Sequence, residues 1–342
     1  MNLNLIEAIE QLEEEKGIPK EDVIVALEQA LKTAYKSNFG GVRNVEVEID
    51  RMTGDVKIYQ LLTVCEEPKD PNFEISLEEA LKIDSKAEVG ATIKKPLNLK
   101  DFRRIAVQTA RQVLIQKIRT FEKENIFKKY SEMVGSVTTA EVMRVTDRLA
   151  YVRIGKIETA MHRRDWIRGE ELKPGTLIKV YIVKVEKIGK TPRITISRSI
   201  PEFLVGLMKL EVPEIEQGVV EVKKVVRESG LRSKVAVLSH DPNVDPVGAC
   251  IGEGGSRINS VLKEIKPEKV DIIKWSDDPA ELIANALAPA KVADVRIIDD
   301  RTKTARVLVA PSELSVAIGK GGQNARLAAK LTGWKIDIKS IM

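Results

Sequence analysis

An internal repeat in residues 201–342 restricts the possible folds of this chain more than any other sequence feature. The repeated segments begin at Val247 and Leu314, and each contains the pattern Ile-Gly-x-Gly-Gly, followed by an amphipathic helix and a strand with a shared Asp-Ile core. The first loop glycines, Gly252 and Gly319, are 67 residues apart. A period of this length with the same order of elements indicates tandem domains of one kind.

The elements upstream of each loop repeat as well. Both copies predict a helix and then two strands, at 201–211, 219–226 and 235–238 in the first copy and at 278–287, 292–298 and 305–309 in the second. A single glycine-rich turn fits a plain helical hairpin equally well. Two copies in the complete order helix–strand–strand–helix–GxxG–helix–strand favour tandem prokaryotic-type (type II) KH domains, whose GxxG loop clamps single-stranded nucleic acid.

The residues of the two loops are the first candidates for RNA binding, because glycines let the backbone approach a sugar–phosphate chain and the next helix offers free N–H groups. The candidates are Gly252, Glu253, Gly254, Gly255 and Arg257 in the first loop and Gly319, Lys320, Gly321, Gly322 and Asn324 in the second. Lys320 places a cation where Glu253 places a carboxylate. We therefore expect the second loop to bind a phosphate backbone more strongly, with Arg257 offsetting Glu253 in the first.

Residues 133–200 predict five short strands separated by turn signals at Gly155 and Pro174-Gly175. Five short strands in so few residues are typical of a closed OB-fold barrel, which binds single strands through aromatic platforms and a cationic groove. Tyr151, His162 and Arg193 are the candidate RNA-binding residues of this barrel. A solvated basic face with Tyr151 at its rim remains the alternative.

The first 132 residues predict an α/β head that ends in a long connector helix over about 99–133. Residues 1–100 carry 13 basic and 20 acidic side chains, whereas residues 101–200 carry 22 and 11. This asymmetry suggests a protein partner for the head and a polyanion for the basic middle segment.

Composition and missing motifs exclude several classes of protein. No apolar run is long enough to span a membrane, the N-terminus is acidic, and Cys65 and Cys250 form no CxxC pair. These features predict a soluble cytoplasmic protein. With two histidines, no complete Walker A loop and no nucleophile–base motif, we expect no metal site, no cofactor and no enzymatic activity.

Five segments carry a resemblance to a known family. They are Ser197-Arg-Ser-Ile-Pro-Glu-Phe-Leu204, Glu211-Val-Pro-Glu-Ile215, Asp245-Pro-Val-Gly-Ala-Cys-Ile-Gly252, Asp271-Ile-Ile-Lys-Trp-Ser276 and Ala317-Ile-Gly-Lys-Gly-Gly-Gln-Asn-Ala-Arg-Leu-Ala-Ala-Lys-Leu-Thr-Gly-Trp334. Together with the domain order, they make the chain resemble the NusA family of bacterial transcription elongation factors over essentially its whole length. The barrel is similar to an S1-type RNA-binding repeat, in which Tyr151, His162 and Arg193 match binding positions.

The resemblance implies a protein that binds RNA polymerase through residues 1–132 and single-stranded nascent RNA through the barrel and the KH domains. We expect this protein to be monomeric. The resemblance also implies that the protein affects pausing, termination and antitermination in complexes with other Nus factors.

The expected domains are 1–132 (head and connector helix), 133–200 (barrel), 201–276 (first KH) and 277–342 (second KH). Two alternatives remain, an RNA-degrading or RNA-modifying enzyme and a ribosome-associated RNA-binding chaperone without polymerase contact. The acidic head argues against the chaperone.

Overall fold

The computed structural model describes residues 3–38, 44–97, 102–188 and 191–341. The chain divides into two compact units, Met1–Ile126 and Phe127–Met342. Among the described residues, no helix combines the length and the apolar character needed to cross a membrane.

The first unit packs helices against a small mixed sheet. Its strand β2 pairs antiparallel with β1 and β4 and parallel with β3. The residues of β1 alternate, because Val45, Val47 and Ile49 are buried while the residues between them are partly exposed. The elements are α1 (Leu3–Lys16), α2 (Lys20–Asn38), β1 (Val45–Ile49), β2 (Val56–Cys65), β3 (Glu74–Ser76), α3 (Leu77–Ile83), β4 (Thr92–Pro96) and α4 (Arg103–Glu132), which ends in the second unit.

Local signals explain where these elements begin and end. In the turn between β1 and β2, the carboxylate of Asp50 accepts hydrogen bonds from the amides of Met52 and Thr53. Ser76 caps α3 by accepting a hydrogen bond from the amide of Glu79, the contact typical of a Ser-x-x-Glu capping box. The long helix is confirmed over Arg103–Glu132, whereas its predicted start near residue 99 lies outside the described residues.

The second unit begins with the five-stranded barrel. Its antiparallel strands lie in the order β7-β6-β5-β8-β9. The hydroxyl of Thr159 on β7 donates to the carbonyl of Ile194 on β9 at 2.6 Å, so the two edge strands meet and nearly close the sheet. All five predicted strands are present: β5 (Val137–Val145), β6 (Leu149–Ile154), β7 (Ile157–His162), β8 (Leu177–Ile188) and β9 (Thr191–Ser197).

Two KH domains follow, each with a three-stranded sheet whose central strand pairs antiparallel with one neighbour and parallel with the other. The first contains α5 (Pro201–Glu211), α6 (Pro213–Glu216), β10 (Val220–Glu228), β11 (Arg232–Ser239), α7 (Pro246–Ile251), α8 (Ser256–Glu264) and β12 (Lys269–Lys274). The second contains α9 (Pro279–Ala286), β13 (Val292–Asp299), β14 (Thr304–Val309), α10 (Leu314–Ile318), α11 (Gln323–Thr332) and β15 (Lys335–Ser340). The predicted type II arrangement is confirmed in both copies.

Buried contacts join the three domains of the second unit. Arg198, which is 3% exposed, pairs with Glu170 of the barrel at 2.9 Å and with Glu264 of the first KH domain at 2.8 Å. The apolar core of the second KH domain also includes Ala236 and Ile273 of the first, so the two KH domains pack against each other. The barrel and both KH domains are therefore linked by packing, and not only by the chain.

Candidate nucleic-acid interface

The two GxxG loops have the same backbone geometry. The φ and ψ angles of Gly252 are 74° and 170°, and those of Gly319 are 75° and 168°. The glycines at the third and fourth loop positions have φ values of 58° and 78° in the first loop and of 59° and 72° in the second. All these positive φ angles disfavour residues with a Cβ, which explains the glycine pattern of both copies.

Each loop connects a short helix to a longer one whose first amides lack a side-chain cap. In the first KH domain, Asp245 fixes the start of α7 by accepting from the amide of Gly248 at 2.9 Å. Gly255 and Gly322 occupy the N-cap positions of α8 and α11, and neither helix has a side-chain cap hydrogen bond. The N-terminal amides of α8 and α11 therefore face the loops without a competing side-chain acceptor, a suitable arrangement for an anionic ligand.

The side chains at the variable loop position carry opposite charges. Lys320 and Glu253 are both exposed, and neither forms an ion pair with any residue in the described ranges. The difference read from the sequence thus persists at the surface. A stronger phosphate contact by the second loop remains a prediction.

Arg257 and Asn324, five residues after the first glycine of each loop, serve the fold of the loop. The Arg257 guanidinium donates to the carbonyl of Ala249 at 2.6 Å and pairs with Glu214 at 2.8 Å. Asn324 is 1% exposed, and its amide donates to the carbonyls of Leu287, Val316 and Ala317. Because Ala249 and Val316 are equivalent positions, both side chains hold the end of the helix before the loop.

These contacts change what we expect of the two residues. The guanidinium of Arg257 pairs with Glu214, so we expect it to offset the charge of Glu214 rather than that of Glu253. The side chain of Asn324 lies inside the domain, so we expect it to affect binding only by shaping the second loop.

Sequence reasoning missed an apolar residue next to each loop. Ile251 and Ile318 directly precede the first glycine and are 38% and 39% exposed. Both belong to the repeated Ile-Gly-x-Gly-Gly pattern, so the repeat itself contained this signal. An exposed isoleucine beside each loop offers an apolar contact for a base whose phosphate lies at the loop.

A carboxylate of the first KH domain contacts the helix that follows the second loop. Glu228, at the end of β10, accepts from Arg326 Nε at 3.0 Å and from Gln323 Nε2 at 2.9 Å. Arg326 also donates to the carbonyl of Gly321 within the loop at 3.4 Å. Hydrogen bonding to Arg326 outweighs partial burial and lowers the pKa of Glu228, so the carboxylate stays ionised.

The barrel brings two of its three candidates together on the outer face of adjacent strands. On β6, Ala150, Val152 and Ile154 point inward, whereas Tyr151 is partly exposed, as predicted. Tyr151 pairs with Ala160 on β7, and the exposed His162 lies two residues further along that strand on the same face. The third candidate, Arg193, is exposed on β9 beside Ile194, which β7 contacts through Thr159.

An arginine that the sequence did not single out covers the ring of Tyr151. The guanidinium carbon of Arg144 lies 4.3 Å from the ring centroid, and Arg144 is the cross-strand partner of Tyr151. Its position depends on an irregularity in β5 between Val142 and Arg144 that shifts the register. Strand periodicity alone does not locate such a β-bulge.

Several carboxylates and a buried thiol have the chemistry of catalytic or metal-binding groups, but their contacts are structural. Among the described residues, no group of three or more His, Cys, Asp or Glu could hold a metal ion. Asp278 caps α9, and Asp299 accepts from the amides of Arg301 and Thr302 in a turn. Burial raises the pKa of the Cys250 thiol to about 11, which makes it a poor nucleophile at neutral pH.

Family models match nearly the whole chain in the order seen in the structure. Residues 4–124 match the NusA N-terminal domain, and residues 131–197 match the S1 RNA binding domain. Residues 198–275 match the NusA-like first KH domain, and residues 279–342 match the NusA-like second KH domain.

Curated relatives extend this match to full-length proteins. The transcription termination/antitermination protein NusA of Bacillus subtilis (strain 168) is 47% identical over 340 residues, which cover 99% of this chain and 91% of that protein. This chain belongs to the NusA family. The NusA proteins of Halalkalibacterium halodurans and Thermus thermophilus are 46% and 42% identical, over 99% of this chain and 89% and 90% of their own lengths.

Membership of the NusA family confirms the expected architecture of a NusA N-terminal domain, an S1 barrel and two KH domains. The domain limits that we set at residues 132, 200 and 276 remain predictions, and so do the individual RNA-binding residues.

Proposed function

We propose that this NusA-family protein is a monomeric, cytoplasmic transcription factor that binds RNA polymerase through residues 1–132 and nascent RNA through the barrel and the KH domains. Its relatives are named for transcription termination and antitermination. The observation that carries the proposal is the pair of GxxG loops with the same backbone geometry, in one packed unit with an S1 barrel.

RNA binding is proposed to divide between backbone and base contacts. The loop glycines and the N-terminal amides of α8 and α11 contact phosphates of the RNA. Lys320 adds a positive charge at the second loop. Ile251 and Ile318 supply apolar surface for bases. On the barrel, the exposed His162 and Arg193 contact the RNA strand next to Tyr151.

Polymerase binding is assigned to the head because its surface differs in charge from the RNA-binding domains. The helix α1 exposes Glu10, Glu13, Glu14 and Glu15 to solvent. An acidic surface of this kind repels RNA and suits a basic protein surface. Acting on polymerase and transcript together, the protein would modulate pausing, termination and antitermination, in complexes with other Nus factors.

The proposal is tested with the full chain in two binding measurements. Fluorescence anisotropy compares single-stranded RNA of about 12 nucleotides with a duplex of the same length at several salt concentrations, and co-purification measures binding to core RNA polymerase. We expect preferential binding of the single strand and retention of the protein on polymerase. If the protein shows no preference for the single strand, or is not retained on polymerase, the proposal is contradicted. RNA binding without polymerase binding instead favours the ribosome-associated chaperone, and cleavage of the RNA with magnesium favours an enzyme.

A further inference from the structure

The outer face of the barrel presents Tyr151 already covered on one side. The guanidinium carbon of Arg144 lies 4.3 Å from the centroid of the Tyr151 ring, a distance typical of a stacked cation–π pair. The shifted register of β5 places Arg144 directly opposite Tyr151 in the antiparallel pair. β-bulges re-aim side chains and are frequent beside functional sites.

Arg144 differs from its neighbour on the same face in having a free charge. Arg153, two residues after Tyr151 on β6, pairs with Glu141 across the strands. Arg144 is exposed, and no carboxylate in the described ranges pairs with it. Its guanidinium carbon thus lies over the Tyr151 ring, while its charge is available to a ligand from solution.

We propose that Arg144 is an RNA-binding residue of the barrel, and that an unstacked base stacks on its solvent-facing guanidinium plane while Tyr151 supports the opposite face. This assignment rests on the proposed binding of single-stranded RNA. Arginine planes are established partners of bases splayed from single-stranded RNA, and the guanidinium N–H groups remain free to donate to a neighbouring phosphate. Tyr151, partly buried, then acts as the support of the platform, and Arg144 is its outer contact surface.

The arrangement predicts a different result from a purely electrostatic role. Lysine keeps the positive charge but lacks the planar group, so R144K retains the attraction to phosphate and loses the stacking surface. When a protein loses a side chain on which a base stacks, its binding of single-stranded RNA typically weakens by about tenfold. A base on Arg144 also requires that substitutions of Arg144 and Tyr151 act as one unit and are not additive.

The experiment measures binding of the full chain to an oligouridine of about 12 nucleotides and to an abasic ribose–phosphate chain with the same number of phosphates. We expect R144K and Y151A each to weaken oligouridine binding about tenfold, the double variant to be no weaker than either, and Y151F to bind like the wild type. On the abasic chain, R144K binds like the wild type. R153K is the matched control, since Arg153 is paired with Glu141, and leaves both affinities unchanged.

Each other outcome overturns the assignment. Wild-type affinity of R144K, with Y151A weakened, places the base directly on the tyrosine ring. An equal loss for R144K on both ligands leaves only a phosphate contact. If the wild-type protein binds no single-stranded RNA at all, the proposed function itself fails, a result distinct from either of these. Far-ultraviolet circular dichroism of each variant establishes that it is folded.

Discussion

At the scale of single residues, the second loop depends on backbone angles that side chains disfavour. Gly321 has a φ of 59°, and an added Cβ would meet no atom within 4 Å. Substitution there introduces backbone strain without a steric clash, so its effect isolates the conformation of the loop.

We expect G321A to lower the free energy of unfolding by about 1 kcal/mol, because alanine disfavours the left-handed region. RNA binding should weaken as the loop moves to another conformation. Asparagine tolerates this region better than alanine, so G321N is the matched control and should retain more of both properties. Urea denaturation and anisotropy titration give the two quantities, and equal losses in both variants would argue against a conformational cause.

The charges of the two loops predict opposite responses to substitution. We expect K320Q to weaken RNA binding and to reduce the slope of log affinity against log salt by about 1, because one phosphate contact is lost. E253K should strengthen binding and increase the slope, because it gives the first loop the cation that the second already has. Anisotropy titrations over a range of salt concentrations test both variants. An unchanged slope in K320Q would show that Lys320 does not contact phosphate.

Among the helices, strands and loops, the features that the sequence predicts are those that depend on residues close together in the chain. The alternation in β1 and β6, the cap at Ser76 and the glycine pattern of the loops are local signals, and the structure confirms the elements that they predict. They follow from side-chain direction and backbone sterics within a few residues.

The parts of the site that the sequence did not reveal depend on distant residues. Arg257 is held by Glu214, which lies 43 residues earlier, and Arg326 by Glu228, 98 residues earlier. The stack of Arg144 on Tyr151 needs a shifted register that no periodicity predicts. Tertiary packing decided the roles of these side chains, and a single sequence carries no direct signal for such pairs.

The contact of Glu228 with α11 predicts a pH dependence. Hydrogen bonding to Arg326 lowers the pKa of Glu228 below its ordinary value of 4.5. A carboxylate with a depressed pKa stabilises the folded state above that value and loses this effect as the pH falls through the folded-state pKa. Wild-type protein should therefore be more stable than E228Q by about 1 kcal/mol at pH 7.

This difference in stability should shrink as the pH falls below about 4.5, because the wild-type carboxyl then becomes neutral as well. Denaturant unfolding of both proteins at several pH values provides the test. A difference that persists unchanged at low pH would contradict an ionic role for Glu228. A charge reversal of both partners, E228R with R326E, should restore part of the stability if the contact is electrostatic.

At the scale of the whole molecule, we expect the apolar cluster that contains residues of both KH domains to couple their stabilities. Ile273 belongs to the first KH domain, is 2% exposed, and packs in the cluster that contains the core of the second. We expect I273A to lower the free energy of unfolding by about 2–5 kcal/mol and to raise hydrogen exchange in α9 and β14 of the second domain.

A substitution in the separate core of the first KH domain provides the control. Val261 is 1% exposed and lies in a cluster confined to the first KH domain and its neighbours in the barrel. V261A should raise exchange mainly within the first KH domain. Hydrogen exchange followed by mass spectrometry distinguishes the two patterns. If I273A leaves the second domain unchanged, the two domains are not energetically coupled.

We propose that one protein holds RNA polymerase and its transcript at the same time. The most direct measurement is crosslinking of photoreactive nascent RNA in a stalled elongation complex to the full chain, with peptide mapping of the crosslinked residues. We expect the protein to stay bound to the complex and the crosslinks to fall in the barrel and the KH domains, including the loop at Lys320. Retention without crosslinks there, or no retention on polymerase, would contradict it.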